Sequence, residues 1–369
     1  MSYQRIATPR FYTDMINYLL NRGRPNTDFA VFADSTLLNT IGTFTSGSAP
    51  ELFDMKPLNK CSWDTSSTAT LQADHVLVTL NLSSANYAKG YVAILNHNLV
   101  SSKGKIRIFA GDNLSDVQTV DAGGIEDSVL DVQWDTFTTT EVVNAESITV
   151  AADGKSIVIE PATDGTTIIR FPDQNIARYW GIQFEGAAFG TGAAIDGTWD
   201  GRTDLFVGGI MVGEYYDMPH SPDLGVKRTI DYDKNTVQES IGGQRYSNMS
   251  SFGGLSNSTS KSPFNLAEQH YDMLGGRITY DMKFSYLNDS DVLPTEDYSF
   301  RFGSDSVIGD VWNITHGSHT PFIFSIDKDS EGDGAESEHI FARFAQDKLE
   351  MNQVAYNVYD VSLKIEEEF

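Results

Sequence analysis

Residues Tyr91-Val92-Ala93-Ile94-Leu95 form an unbroken apolar run that ends in the polar cluster Asn96-His97-Asn98. Past Ser101-Ser102-Lys103-Gly104 the pattern resumes as Ile106-Arg107-Ile108-Phe109-Ala110. This order predicts a buried strand, a polar corner and a return strand. Further on, Arg178 to Glu185 sets Trp180, Ile182 and Phe184 on one face and Tyr179, Gly181, Gln183 and Glu185 on the other, the mark of a half-buried strand. Together these stretches predict the framework of a β-sandwich.

Helical spacing is strongest near the start. Over residues 9–23, Tyr12, Met15, Ile16, Leu19 and Leu20 recur at helical intervals, with Pro9 suited to the first turn and Gly23 to the C-terminal cap. So short a helix must dock its apolar stripe, either within its own domain or on a neighbouring subunit. Residues 24–55 read as an extended lead-in with a strand-like piece at 29–33. From residue 56 to about 215 the chain reads as one all-β unit, with strands expected over 75–82, 91–95, 105–110, 147–150, 156–160, 166–171, 178–185 and 205–212. Asp153-Gly154 and Asp164-Gly165 supply turn signals between them. Short strands without intervening helices predict a sandwich or jelly roll. The acidic, weakly patterned stretch 112–146 is expected to be a functional or mobile loop.

Two prolines in Met218-Pro219-His220-Ser221-Pro222 mark a boundary that neither a helix nor a strand crosses easily. Beyond it, 226–232 and 236–241 are expected to pair as a hairpin through Asp233-Lys234-Asn235. The Ser, Asn and Gly-rich stretch 247–261 has no apolar period and is expected to be a surface loop ordered by neighbours. A long alternating strand at 276–287 sets Ile278, Tyr280, Met282, Phe284 and Tyr286 on one face, and 322–326, 339–344 and 356–365 supply three more strands. The expected division is a helix and arm over 1–55, a β-sandwich over 56–217 and a second β-domain over 218–369.

Charge narrows the partners. With 51 Asp and Glu against 26 Lys and Arg, the 369-residue chain carries a formal net charge of -25, which excludes a general nucleic-acid-coating role because the phosphate backbone would be repelled. No sequence-specific nucleic acid is expected as a partner. Solubility accounts for the charge, and so does an acidic wall past which DNA slides. The single cysteine, Cys61, excludes an internal disulfide framework and a cysteine-cluster zinc site, and reads as a small buried apolar residue. No apolar run reaches bilayer-spanning length and residues 1–5 do not open a signal sequence, so synthesis in a cytosol and no membrane partner are expected.

Catalytic patterns are missing, and no enzyme is expected. No glycine loop follows a strand and opens a helix, no Gly-x-Ser-x-Gly elbow occurs, and no pair among the many carboxylates stands out as a glycosidase acid and base. The pairs Gly208-Gly209, Gly242-Gly243 and Gly275-Gly276 read as bulges or turns. His97 is expected to stabilise its corner by hydrogen bonding. His316 and His319 lack a third ligand at helpful spacing and are assigned to a loop rather than to zinc. The one metal candidate is calcium at 327–338: Asp327, Asp329, Glu331, Asp333 and Glu338 fall on loop positions 1, 3, 5, 7 and 12, with Gly332 at position 6. Position 5 is Glu instead of Asp or Asn, and the flanks are strand-like, so a solvated hairpin tip is the competing reading. Trp63, Trp134, Trp180, Trp199 and Trp312 are the candidates for a sugar-binding aromatic platform, with Trp180 better placed in a core.

The helix region opening on Pro9-Arg10-Phe11-Tyr12, the corner from Ala93 to Leu99 and the run from Leu205 to Pro219 resemble a family of virion structural proteins of marine tailed phages. The corner together with the Arg178-Tyr179-Trp180 strand also resembles galactose-binding-like sandwiches of phage tail and baseplate proteins. The stretch from 276 to the closing 361–367 strand is similar in pattern to tail-tube and distal-tail domains, which form rings around a DNA channel. The resemblance implies a galactose-binding-like sandwich, a tail-tube-like β-domain, a place in the virion and an assembly role, with copies of the chain and other virion tail proteins as partners. It carries over no functional residues. A carbohydrate- or receptor-binding module meeting host glycans is the alternative, and a neck or head decoration protein is the rival within the structural class.

Overall fold

The structure, a computed structural model, describes residues 6–23, 29–32, 44–65, 75–82, 90–111, 141–150, 156–171, 178–186, 199, 203–231, 237–247, 277–294, 306–330 and 338–368. Most of the expected loops at 112–146 and 247–261, the Asp153-Gly154 turn, Trp134, Glu331 and Asp333 lie outside these residues.

The first half contributes β1 (Arg10–Tyr12), helix α1 (Met15–Asn21), β2 (Phe29–Phe32), β3 (Phe44–Ser46), β4 (Cys61–Trp63), β5 (His75–Asn81), β6 (Gly90–His97) and β7 (Gly104–Gly111). It continues with β8 (Glu141–Val143), β9 (Ser147–Val150), β10 (Ile157–Glu160), β11 (Gly165–Phe171), β12 (Tyr179–Gly186), β13 (Leu205–Val207) and β14 (Gly209–Asp217). After it come β15 (Lys227–Asp231), β16 (Val237–Glu239), β17 (Arg245–Ser247), β18 (Arg277–Asn288), the single turn α2 (Asp289–Val292), β19 (Phe322–Ser325), β20 (His339–Phe344), β21 (Met351–Ala355) and β22 (Val358–Glu367).

The fold is all-β. One large antiparallel sheet runs β15-β18-β22-β20-β19-β1-β14-β6-β11-β8, with β21 alongside β22, and a six-stranded sheet runs β2-β5-β12-β7-β10-β9. The β14-β6-β11 part of the large sheet faces the six-stranded sheet. Val92, Ile94, Ile169, Phe171, Ile210 and Val212 on one side meet Val78, Leu80, Ile106, Ile108, Trp180, Ile182 and Phe184 on the other in one apolar cluster. This is the sandwich that the alternation predicts. The return strand β7 does not pair with β6. It lies in the opposite sheet against the whole of β12, so the chain crosses the sandwich at the Asn96-His97-Asn98 corner. A second cluster, built on Tyr280, Met282, Phe284, Phe322, Phe324, Phe344, Val361, Leu363 and Ile365, fills the other half.

The segment from Pro9 is shorter as a helix than its spacing suggests. Arg10–Tyr12 is a strand, pairing antiparallel with β14 on one side and β19 on the other. The physical reason is that both faces of this strand are buried: Phe11 joins Phe322 and Phe324 at 5.6 and 5.2 Å, while Tyr12 meets Tyr91 edge-on at 5.1 Å on the opposite face. Strand β1 therefore links strands from the two halves of the chain into one continuous sheet. The helix proper begins after Asp14, whose carboxylate accepts the Asn17 N–H at 2.8 Å as N-cap, and it ends with Gly23 at φ 84°. Its stripe of Met15, Ile16, Tyr18 and Leu19 is buried in the chain's own sandwich cluster.

Two further expectations change in the second half. Strands β15 and β16 do not form a hairpin with each other: β15 pairs with β18, and β16 pairs with β17 through a tight turn. At that turn Gly243 stands at φ 80° and its N–H donates to the Ser240 carbonyl at 2.8 Å. In β18, Tyr280, Met282 and Phe284 face the core as expected, but Tyr286 is 78% exposed and Leu287 is buried in its place. The cause is a bulge, with a register shift against β22 between Phe284 and Leu287 and Tyr286 at φ 63°; one extra residue flips the face of every position beyond it.

Candidate functional site

The corner is a structural site built from buried polar groups. Asn96, in the left-handed region at φ 48°, donates from its amide to the Pro57 carbonyl at 2.6 Å. Asn98 donates to the Asp204 carbonyl at 2.8 Å and accepts the Phe206 N–H at 2.7 Å. His97 is wholly buried. Its Nδ1 faces the Leu99 N–H at 3.3 Å, which leaves Nε2 to donate to the Thr167 hydroxyl at 2.9 Å, and burial lowers its pKa to about 3. A histidine held neutral on both nitrogens is a brace and has no spare nitrogen for proton transfer.

On the outer face of the six-stranded sheet lies a buried charge pair that alternation could not single out. Arg107 donates to both carboxylate oxygens of Glu185, at 2.9 and 3.1 Å, and to the Ser156 hydroxyl at 2.9 Å, while Gln183 donates to Glu185 at 3.1 Å. The Arg107 and Glu185 side chains are 5% and 0% exposed, so this bidentate pair is fully desolvated.

The tryptophans separate cleanly. Trp63, Trp180 and Trp199 are buried in the sandwich core, which removes them as a sugar platform, and Trp312 alone of the described four is half-exposed. For the calcium candidate, Asp327 and Glu338 are buried and Asp329 is exposed. Asp327 accepts the Asp329 N–H at 3.0 Å in an Asx turn. Among the described residues no group of three His, Cys, Asp or Glu side chains is placed to hold a metal ion. Cys61 is buried as expected, its thiol directed at the Ser48 carbonyl, and burial pushes its pKa up to about 11.

Among the described residues, the most exposed of the large apolar side chains lie in the second half. The β16–β17 hairpin pairs with no other described strand, and Val237, Ile241 and Tyr246 are 62%, 110% and 56% exposed on it. Leu224, Tyr286, Val354 and Tyr356 add further exposed apolar side chains near the β18 and β21–β22 ends.

A cleft of about 370 Å³ opens where α1 meets the turn that follows the π-helical segment Val307–Trp312. Tyr18 comes from α1 and Arg22 from its C-cap, Trp312 from the end of the π-helical segment, Asn313 and His316 from the turn, and Asp347 from the stretch between β20 and β21. The Tyr18 and His316 rings stack at 5.9 Å and 22°, and Trp312 is backed by Phe344 at 5.0 Å. Arg22 lies over the Tyr18 ring and donates to its hydroxyl. His316 and Gly317 are both left-handed, at φ 50° and 66°, and a β-carbon at Gly317 would sit 3.2 Å from the Trp312 ring. The sequence did offer Trp312 and the His316/His319 pair, but not their meeting with residues 18 and 22.

No protein-family model matches the chain, and neither a curated protein nor a solved structure is significantly similar to it.

Proposed function

We propose that the chain is a structural subunit of a tailed-phage virion, a tail or baseplate component that acts by assembling with copies of itself and with other virion tail proteins. The observation that carries the assembly reading is the β16–β17 hairpin, which projects Val237, Ile241 and Tyr246 into solvent while pairing only with itself among the described strands. An isolated two-stranded hairpin is marginal in water, and exposed apolar side chains along it favour burial against a partner. Strand β15, close by in the chain and exposed along its length, pairs only with β18 among the described strands and so is an edge suited to a partner strand. The charge of -25 opposes indiscriminate sticking and suits an acidic wall facing DNA. The phage assignment itself rests on the resemblance of the sequence blocks.

Light scattering of the full-length protein at several concentrations tests the assembly reading, beside the double variant Val237→Lys/Ile241→Lys. The expected result is a closed oligomer for the parent chain and folded monomers for the variant, with a thermal midpoint no higher than the parent's because assembly stabilises the folded chain by mass action. A monomeric parent chain at every concentration, or an oligomer indifferent to the two lysines, overturns it.

A further inference from the structure

We propose that the cleft between α1 and the 312–318 turn binds the ring of a neutral pyranose sugar. A pyranose presents an apolar C–H face and a rim of hydroxyls, so its site needs an accessible aromatic plane beside fixed donors and acceptors. The cleft holds both: the half-exposed Trp312 and the exposed His316 ring, backed by the buried Tyr18, supply aromatic surface, Asp347 accepts, Arg22 donates and Asn313 does both. Its volume of about 370 Å³ lies at the small end of ligand pockets, the size of a single ring rather than a long chain.

The backbone points to the same place. His316 occupies a left-handed conformation that a glycine would adopt without strain, in the turn that follows a π-helical segment, and such strain and such segments concentrate at functional sites. The reward for keeping histidine there is its ring in the cleft wall. The lining carries one cation, Arg22, and one anion, Asp347, so it has no surplus positive charge to recruit a carboxylate, and the chain's net charge of -25 adds repulsion; a neutral sugar fits better than a uronic or sialic acid. This inference stands apart from the assembly reading, since the cleft shares no residue with the hairpin surface.

The test is saturation-transfer NMR with the full-length protein against glucose, galactose, mannose, fucose, N-acetylglucosamine and N-acetylgalactosamine, with glucuronate and sialic acid alongside. A neutral sugar is expected to bind at millimolar concentration through its C–H face. His316→Gly is expected to weaken binding roughly tenfold while leaving the thermal midpoint unchanged or higher, because glycine relieves the left-handed strain. The exposed Asp347→Ala should weaken binding similarly. Absence of binding by all the neutral sugars, preference for the acidic ones, or binding untouched by both variants overturns the proposal.

Discussion

A β-carbon at Gly213 would lie 2.1 Å from the carbonyl oxygen of Thr13. The chain leaving β1 thus crosses β14 at a distance that only glycine permits. The approach is fastened on both sides: the Thr13 N–H and hydroxyl donate to the Glu214 carbonyl at 3.0 and 3.2 Å, and the Tyr91 hydroxyl donates to the Thr13 carbonyl at 3.1 Å. Gly213→Ala must displace this backbone, so the expected cost is at the upper end of the about 1–3 kcal/mol typical of overpacking. Urea unfolding measures it, and faster protease cleavage near residues 9–23 would show that β1 and α1 are what give way. An alanine variant as stable as the parent would mean that the close approach is not held in solution.

Asp14 and His97 impose opposite pH dependences. Burial raises the Asp14 carboxyl to about 6, against Asn17 hydrogen bonds that work the other way, so the folded state keeps this proton where the unfolded chain has lost it. Its contribution to stability is complete below the ordinary carboxyl range and is lost as pH rises to about 6. His97 behaves in reverse: the unfolded chain takes up a proton near the ordinary histidine value, the folded state only near 3, so stability is complete above about 6.5 and falls as pH drops. Asp14→Asn retains a good N-cap and removes the first term. Relative to the parent it should gain about 2 kcal/mol between pH 4 and pH 7, most of the effect of a shift of about two pKa units at 1.36 kcal/mol each. His97→Gln should flatten the acid limb instead, and denaturant melts across this range read both slopes. Variants whose stability runs parallel to the parent's would refute the assignment.

Removing one partner of the Arg107–Glu185 pair should cost more than removing both. Glu185→Ala strands a guanidinium that is 5% exposed, and the expected loss is about 3–5 kcal/mol. The double variant Arg107→Met/Glu185→Leu should recover much of that loss, because no uncompensated charge remains. Equal losses in the single and double variants would show that the pair is not desolvated.

What the sequence revealed was whatever lies in alternation. Strands 105–110, 178–185 and 276–287 were legible because Ile106, Ile108, Trp180, Ile182, Phe184, Tyr280, Met282 and Phe284 repeat at period two, and these form the cores. Tyr286 escaped because a bulge breaks the period without a local glycine or proline to announce it. Arg10–Tyr12 escaped because three residues cannot display a period, and Tyr12 also fits the helical spacing of its neighbours. The cleft was legible only in pieces. Its walls come from residues 18–22, 312–318 and 347, and long-range packing brings them together.

The placement of β1 also dictates an order of events. Arg10 pairs with Asp217, 207 residues later, and with Ser325 farther still, yet β1 lies in the interior of the large sheet. During synthesis this strand leaves the ribosome long before either neighbour exists; one edge must wait for β14 and the other until β19 has been made. Pairings of such sequence separation are slow to form and leave strand edges open meanwhile. Closure of the large sheet therefore comes late with respect to β1, and removing residues 1–55 would take out a central strand rather than a detachable arm.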